Sequence, residues 1–350
     1  MSIDYLRTAD EISFKGLDAA GGWSLYPPST HILLMPFYGF MVSSNLGKIS
    51  WSIWNVLLLM VILYVLIKKY LSQQNHMYEY LLFLLIIGSY ATKSCMRYGQ
   101  TSIFSFAFFM LTLILKDKSR FLSGLAFAFA CAKPHLMVLF AVYLLFKKEY
   151  RIVLIACFIH VGLTLGTAFW IQTSPFELLQ NYFTKVYLLT YHKTPLWLYL
   201  QVNGVAIKSL CNILEMPTVV ISVSTAIMYI ASSFLIYKYR DLNENKALGF
   251  VALLTIFVDY HWHYDFVILF LLFPLFTMAI PNKKEARFAF VYYLIVLYMP
   301  NFMWVSRFIR EHRVYLLSWQ IIYSLLFMFL LYIYIRLIML QTTSSPSRAR

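Results

Sequence analysis

The chain is dominated by apolar runs that approach the length of a bilayer crossing, and short basic clusters punctuate them. Trp54–Ile67 with its flanks, Ile152–Ile171, Val219–Tyr237 and 315–338 are the clearest runs. A helix needs about 20 such residues to cross the hydrocarbon core. The sequence is 61% hydrophobic and 13% charged, against roughly 45–50% apolar and a quarter charged in a soluble domain. The short period-two segments of a transmembrane barrel are absent. These features predict an all-α, polytopic membrane bundle with about nine to eleven membrane segments, drawn at roughly 20 residues each.

The formal net charge of +14 does not point to nucleic acid, because the basic residues sit at the ends of apolar runs. Lys68-Lys69, Lys116/Lys118/Arg120, Lys147-Lys148/Arg151, Lys238/Arg240 and Lys283-Lys284/Arg287 form such clusters, the pattern of cytosolic anchoring. Applied along the chain, the rule places residues 1–50, 93–100, 172–216 and 259–265 on the non-cytosolic face of a multi-pass cell (inner) membrane protein. Arg307, Arg310 and Arg313 fall on that same face against the rule. They read as a basic loop touching lipid head groups or as ligands for an anionic substrate. The four cysteines, Cys95, Cys131, Cys157 and Cys211, have no metal or redox spacing. The first 22 residues lack the apolar core of a signal peptide. Residues 1–341 read as one transmembrane domain, and 342–350 as a disordered basic tail.

Two stretches break the pattern of plain spans. His31–Val42 is apolar but short and interrupted by Pro36, which suits an interfacial helix better than a crossing. Phe121–Phe146 has basic clusters at both ends and Ala132-Lys133-Pro134-His135 in its middle. A straight span would put one cluster on the wrong side, so the sequence predicts two half-helices turning at Pro134. Broken helices survive at membrane depth only inside protein or along a cavity, and Lys133 there requires an anionic partner.

The densest polar cluster is Asp259-Tyr260-His261-Trp262-His263-Tyr264-Asp265, set between apolar runs. Ionisable residues at membrane depth are functional candidates by default, although a wet loop between helices gives the same residues a bland role. With Arg97, Gln100 and the 172–216 stretch on the same face, the cluster suits an enzyme working on a lipid-linked substrate. A carboxylate would accept a proton from an attacking hydroxyl, and Arg, Lys or His would stabilise a departing phosphate. The paired histidines and aspartates could hold a divalent metal, but no metal or other cofactor is firmly indicated. The alternatives are a transporter or flippase, which shares broken helices and intramembrane charge, and a non-catalytic scaffold. Against transport, the sequence shows no matching halves and its acids crowd at one face.

Several blocks, in order, resemble one family. They are Tyr26-Pro27-Pro28 leading to Pro36-Phe37, Trp54-Asn55, Gly99-Gln100, Phe121-Leu122-Ser123-Gly124-Leu125-Ala126 through Lys133-Pro134 to Lys147-Lys148, Asn203, and His261 with Tyr264-Asp265-Phe266 before Pro274. Over roughly residues 4–275 the chain is similar to glycosyltransferase family 87 of the GT-C superfamily. The resemblance implies inverting transfer of a hexose, such as mannose, from a polyprenyl-phosphate-linked sugar to a lipid- or glycan-borne hydroxyl on the non-cytosolic face. It implies an aspartate base in the first external loop. Asp4 matches best, with Asp4-Tyr5 ahead of Ala9 and Gly16; Asp10 and Asp18 match less well. Tyr26, Arg97, Gln100, Asn203, His261, His263, Tyr264 and Asp265 would line the substrate site, with Lys133, Arg307 and Arg310 as phosphate candidates. Family members carry an apolar helix before the aspartate, whereas this sequence begins almost at Asp4, so its N-terminus is expected to reach the outer face without that helix.

Overall fold

The computed structural model describes residues 27–38, 44–72, 74–191, 211, 216–258, 263–279, 284–298 and 325–338. Every element among them is helical. Among the described residues, three helices are long and apolar enough to cross a membrane unaided: Leu46–Leu71, Tyr150–Trp170 and Thr218–Lys238. Shorter apolar helices include His76–Gly88, Arg120–Ala130, Pro134–Phe146 and Leu325–Ile338, and Tyr90–Arg97 with Ser102–Leu115 forms a bent pair apolar and long enough to cross as one. Their placement explains how a chain with few full-length spans still builds one bundle.

Helix α1 (Pro28–Tyr38) starts with a proline, whose fixed φ suits a first turn and whose missing N–H has no partner there to lose. It overlaps the run His31–Val42 that the sequence suits to an interfacial helix, and it is seated against the bundle by a polar end and an aromatic end. Ser29 and Thr30 are buried, and Thr30 Oγ1 donates to the Ala132 carbonyl at 3.2 Å. Phe37 meets the rings of Trp54 and Phe104 edge-on, at centroid distances of 5.0 and 4.9 Å. Helix α2 (Ser44–Leu66) runs into a single π turn, Ile67–Leu71, at its basic end.

The apolar run that follows is two helices, α3 (His76–Gly88) and α4 (Tyr90–Tyr98). Ser89 separates them in extended conformation. Its N–H closes α3 on the Leu85 carbonyl, and its hydroxyl accepts the Thr92 N–H that opens α4. An apolar count passes over such a break, because one serine barely changes the composition of the run. Gly99 then ends α4 at φ 62°, in the left-handed region that a glycine reaches without strain. After it the chain turns by 116° into α5 (Ser102–Leu115).

Helices α6 (Arg120–Ala130) and α7 (Pro134–Phe146) meet at the Cys131–Lys133 break. They form a hairpin. Arg120 Nη1, at the entry, lies 3.2 Å from Glu149 Oε2, at the exit, so the chain leaves where it entered. Eleven residues in α6 rise about 16 Å at ~1.5 Å each, about half of a ~30 Å bilayer core. The next helix, α8 (Tyr150–Trp170), packs on α6 through a close approach at Gly124. A Cβ there would lie 2.6 Å from Ile155 Cβ. His160, midway along α8, reaches the top of α6 at the Ala128 carbonyl, 3.0 Å from Nε2. A carbonyl only accepts, so Nε2 carries the proton and Nδ1 takes the Ser29 hydroxyl at 2.8 Å. These contacts put the α1 N-terminus, the hairpin apex and the centre of α8 at one level.

Helix α9 (Pro175–Tyr191) occupies the first part of the polar-aromatic stretch 172–216, and α10 (Thr218–Lys238) follows as a full-length span. Helix α11 (Glu244–Val258) is buried along nearly its whole length. Beside it lies the centre of the molecule, a 3-10 helix over His263–Leu272 that continues as α12 (Phe273–Ala279). Phe266 through Phe273 are each at most 2% exposed. Runs of 3-10 longer than three or four residues are uncommon. This one gains an added partner from α13 (Lys284–Tyr298), where the Tyr293 hydroxyl donates to the Leu269 carbonyl at 3.0 Å. From α14 (Leu325–Ile338), Tyr334 donates to the Lys246 carbonyl at 2.9 Å and packs against Gly249.

Candidate functional site

Lys133 sits at the hairpin apex because Pro134 opens α7 and the residue before a proline is steered away from helical dihedrals. An ammonium at that depth requires a partner, and the partner is Asp265, in the first turn of the 3-10 helix. Nζ lies 2.5 Å from Oδ1, with 4% and 2% of the two side chains exposed. Ser102, the first residue of α5, closes a triangle: its hydroxyl donates to Asp265 Oδ1 at 2.6 Å and accepts from Lys133 Nζ at 2.8 Å. The Tyr264 ring lies 4.3 Å from the ammonium, a favourable cation–π arrangement once water is excluded.

Two further groups border the triangle. Cys95, from α4, feels the charges of both Lys133 and Asp265, and its thiol donates to the Gln100 carbonyl at 3.2 Å. The second carboxylate oxygen, Oδ2, faces His135 Nε2 at 3.9 Å, and 33% of the His135 side chain is exposed. Four segments distant in sequence therefore converge at one level: the α1 N-terminus through Thr30, the α4–α5 joint, the hairpin apex and the start of the 3-10 helix. Each of the buried charges is compensated, which is the condition for ionised groups to persist in a low-dielectric interior.

The structure brings together three of the residues singled out from sequence, Lys133, Tyr264 and Asp265, and sets Gln100 beside them through Cys95. Arg97 lies in the last turn of α4 and is exposed. His263 is the first residue of the 3-10 helix. Asp4, Tyr26, Asn203, His261, Arg307 and Arg310 lie outside the described residues. Sequence reasoning required an anionic partner for Lys133 without identifying it. It did not single out Ser102, Cys95 or His135. Of these, only His135 carried a signal, being an imidazole directly after the helix-breaking Lys-Pro.

A second ionic cluster lies at the basic end of the bundle. Glu244, which opens α11, takes Lys69 at 2.5 Å, the Tyr70 hydroxyl at 3.0 Å, and Lys116. Lys69 also donates to the Leu113 carbonyl at 3.1 Å. This cluster ties the π turn and the end of α5 to the start of α11. Among the described residues, no group of three or more His, Cys, Asp or Glu is placed to hold a metal ion.

The model of glycosyltransferase family 87 matches residues 24–259. The chain belongs to that family. It is thus a membrane glycosyltransferase in its general class, and the resemblance drawn over roughly 4–275 is supported across its central part. No curated protein and no solved structure matches the chain. The stretch matched to family 87 takes in Arg97, Gln100, Ser102, Lys133, His135 and Asn203. Asp4, His261, His263, Tyr264, Asp265, Arg307 and Arg310 lie beyond it. The ion pair therefore joins a lysine inside the family match to an aspartate six residues past its end.

Proposed function

We propose that this family 87 protein transfers a hexose from a polyprenyl-phosphate-linked sugar to a hydroxyl of a lipid or glycan acceptor, with inversion, on the non-cytosolic face of the membrane. The observation that carries the reading is the closed Lys133–Ser102–Asp265 triangle at the hairpin apex. A glycosyltransferase using a lipid-phosphate donor needs preorganised polar groups within reach of the bilayer interior, because the leaving group is an anion tethered to an apolar chain. Preorganised charge acts most strongly where water is excluded.

In this reading Asp4 accepts the proton of the attacking hydroxyl, and the acceptor oxygen displaces the phosphate from the sugar's anomeric carbon. Arg97, Arg307 and Arg310 supply positive potential to the donor phosphate, while Lys133, neutralised by Asp265, fixes the geometry of the apex beside it. Tyr26, Gln100, Asn203, His261, His263, Tyr264 and Asp265 shape the space around donor and acceptor. Mannose is the hexose that the resemblance favours. No metal is invoked.

The test is transfer of labelled hexose from a polyprenyl-phosphate donor in membranes containing the protein. The reading expects transfer that Asp4→Asn and His261→Ala both abolish. Full transfer by both variants would remove those residues from the site, and no transfer by the unaltered protein from any polyprenyl-phosphate hexose would remove the donor class.

A further inference from the structure

The Lys133–Asp265 pair is shut away, whereas the histidine beside it is open. Asp265 divides its two oxygens. Oδ1 takes Lys133 Nζ at 2.5 Å and Ser102 Oγ at 2.6 Å, while Oδ2 faces His135 Nε2 at 3.9 Å. That separation lies within ion-pair range but beyond a hydrogen bond, which an approach of about 1 Å would complete. A carboxylate beside one ring nitrogen decides which nitrogen bears the proton, so Nε2–H faces Asp265 and Nδ1 lies on the far side of the ring. His135 is one-third exposed, and Val138, three residues on along the same helix face, is 40% exposed. The cluster therefore has a buried half that fixes geometry and an imidazole that reaches out of it.

Charge gives that imidazole a partner. Lys133 and Asp265 cancel, so among the described residues a protonated His135 adds one positive charge to the cluster at its exposed edge. We infer that His135 is a phosphate-binding residue of the donor site, an imidazolium that Asp265 orients and whose Nδ1–H donates to the phosphate of the polyprenyl-linked sugar. The inference rests on the donor class proposed above. During transfer the acceptor oxygen bonds to the anomeric carbon and the bond from that carbon to the phosphate oxygen breaks. The electron pair stays on the phosphate, and the acceptor's proton passes to the base. The charge left on the polyprenyl phosphate lies against the imidazolium. Among the described residues, Asp265 faces His135 directly, and Lys133, Tyr264 and Cys95 border the pair through Asp265 and Lys133.

The experiment is binding of a long-chain polyprenyl monophosphate to the full chain in detergent, read by tryptophan fluorescence, with the unphosphorylated polyprenol as control. Three proteins are compared: the unaltered chain, His135→Ala and His135→Gln. The expected result is that His135→Ala weakens monophosphate binding by about tenfold or more, the effect of one hydrogen bond to a charged group, and leaves polyprenol binding unchanged. His135→Gln, which keeps a donor but does not titrate, recovers part of the loss. His135→Gln serves equally if the alanine variant fails to fold. Equal monophosphate binding by all three proteins overturns the role of His135 and leaves the proposed transfer standing. If the unaltered chain binds the monophosphate no better than the polyprenol, the donor class and the role of His135 fall together.

Discussion

The two ionic clusters are built from the same chemistry and differ in access to water. At the hairpin apex the Lys133 and Asp265 side chains are 4% and 2% exposed. At the basic end Lys69, Lys116 and Glu244 are 27%, 18% and 21% exposed. The apex balances one cation against one anion and adds a serine. The basic end sets two lysines against one glutamate. Attraction at the basic end is diluted by solvent and salt, so that cluster stabilises the junction of three segments modestly and tolerates imperfection. At the apex an incomplete set leaves a charge stranded where nothing solvates it, so the cluster enforces one arrangement of four distant segments. The difference separates a fastening from a site.

The largest expected effect comes from breaking the apex. Asp265→Asn or Lys133→Met each leaves a lone buried charge, and loss of one partner from such a pair typically costs about 3–5 kcal/mol. Thermal unfolding in detergent should show either variant much less stable than the double change Lys133→Met/Asp265→Leu, which removes both charges. The double variant should recover stability without recovering sugar transfer. Single variants as stable as the unaltered chain would erase the contrast between the clusters.

Glu244→Gln at the basic end is expected to cost only about 1 kcal/mol, the upper part of the range for partly exposed pairs, and the loss should shrink in high salt. The same residue gives the contrast a pH signature. Burial alone would raise the Glu244 pKa, but hydrogen bonds from Lys116 and Lys69 and their charges outweigh it and hold the carboxyl below its ordinary value of 4.5. A folded-state pKa below the unfolded one means the stabilisation is complete above pH 4.5 and is lost as pH falls through the folded value. Acid titration of unfolding should therefore lose one component in Glu244→Gln. An unchanged acid profile would remove Glu244 from the linkage.

Arg120→Ala should have the smallest effect. Arg120 is 44% exposed where it meets Glu149, so about 0.5 kcal/mol or less is expected. A loss of several kcal/mol would make the hairpin mouth, and not its apex, the point on which the re-entrant fold depends.

The sequence made the bundle legible because apolar length and basic punctuation are local signals, and it made the hairpin legible because both ends of 121–146 are basic around Lys133-Pro134. The Lys133 partner was not legible: 132 residues separate the two, and several other acids satisfied the same requirement. The break at Ser89 and the capping of α4 at Gly99 rest on single residues inside otherwise uniform runs. The 3-10 winding of 263–272 was hidden because eight consecutive apolar residues carry no periodicity from which to count turns. His135 could be read only as part of a helix-breaking tetrad until Asp265 was found beside it.

That winding has a geometric consequence. A ten-residue segment advances ~2.0 Å per residue as a 3-10 helix and ~1.5 Å as an α-helix. Rewinding it would shorten the pillar by about 5 Å, a distance comparable to the pitch of one α-helical turn. With Leu272 fixed, Asp265, seven residues back, would shift by about 3.5 Å, out of hydrogen-bond reach of Lys133. The register of the central rod and the closure of the charge triangle are thus a single mechanical variable, set by how many residues the chain spends per turn.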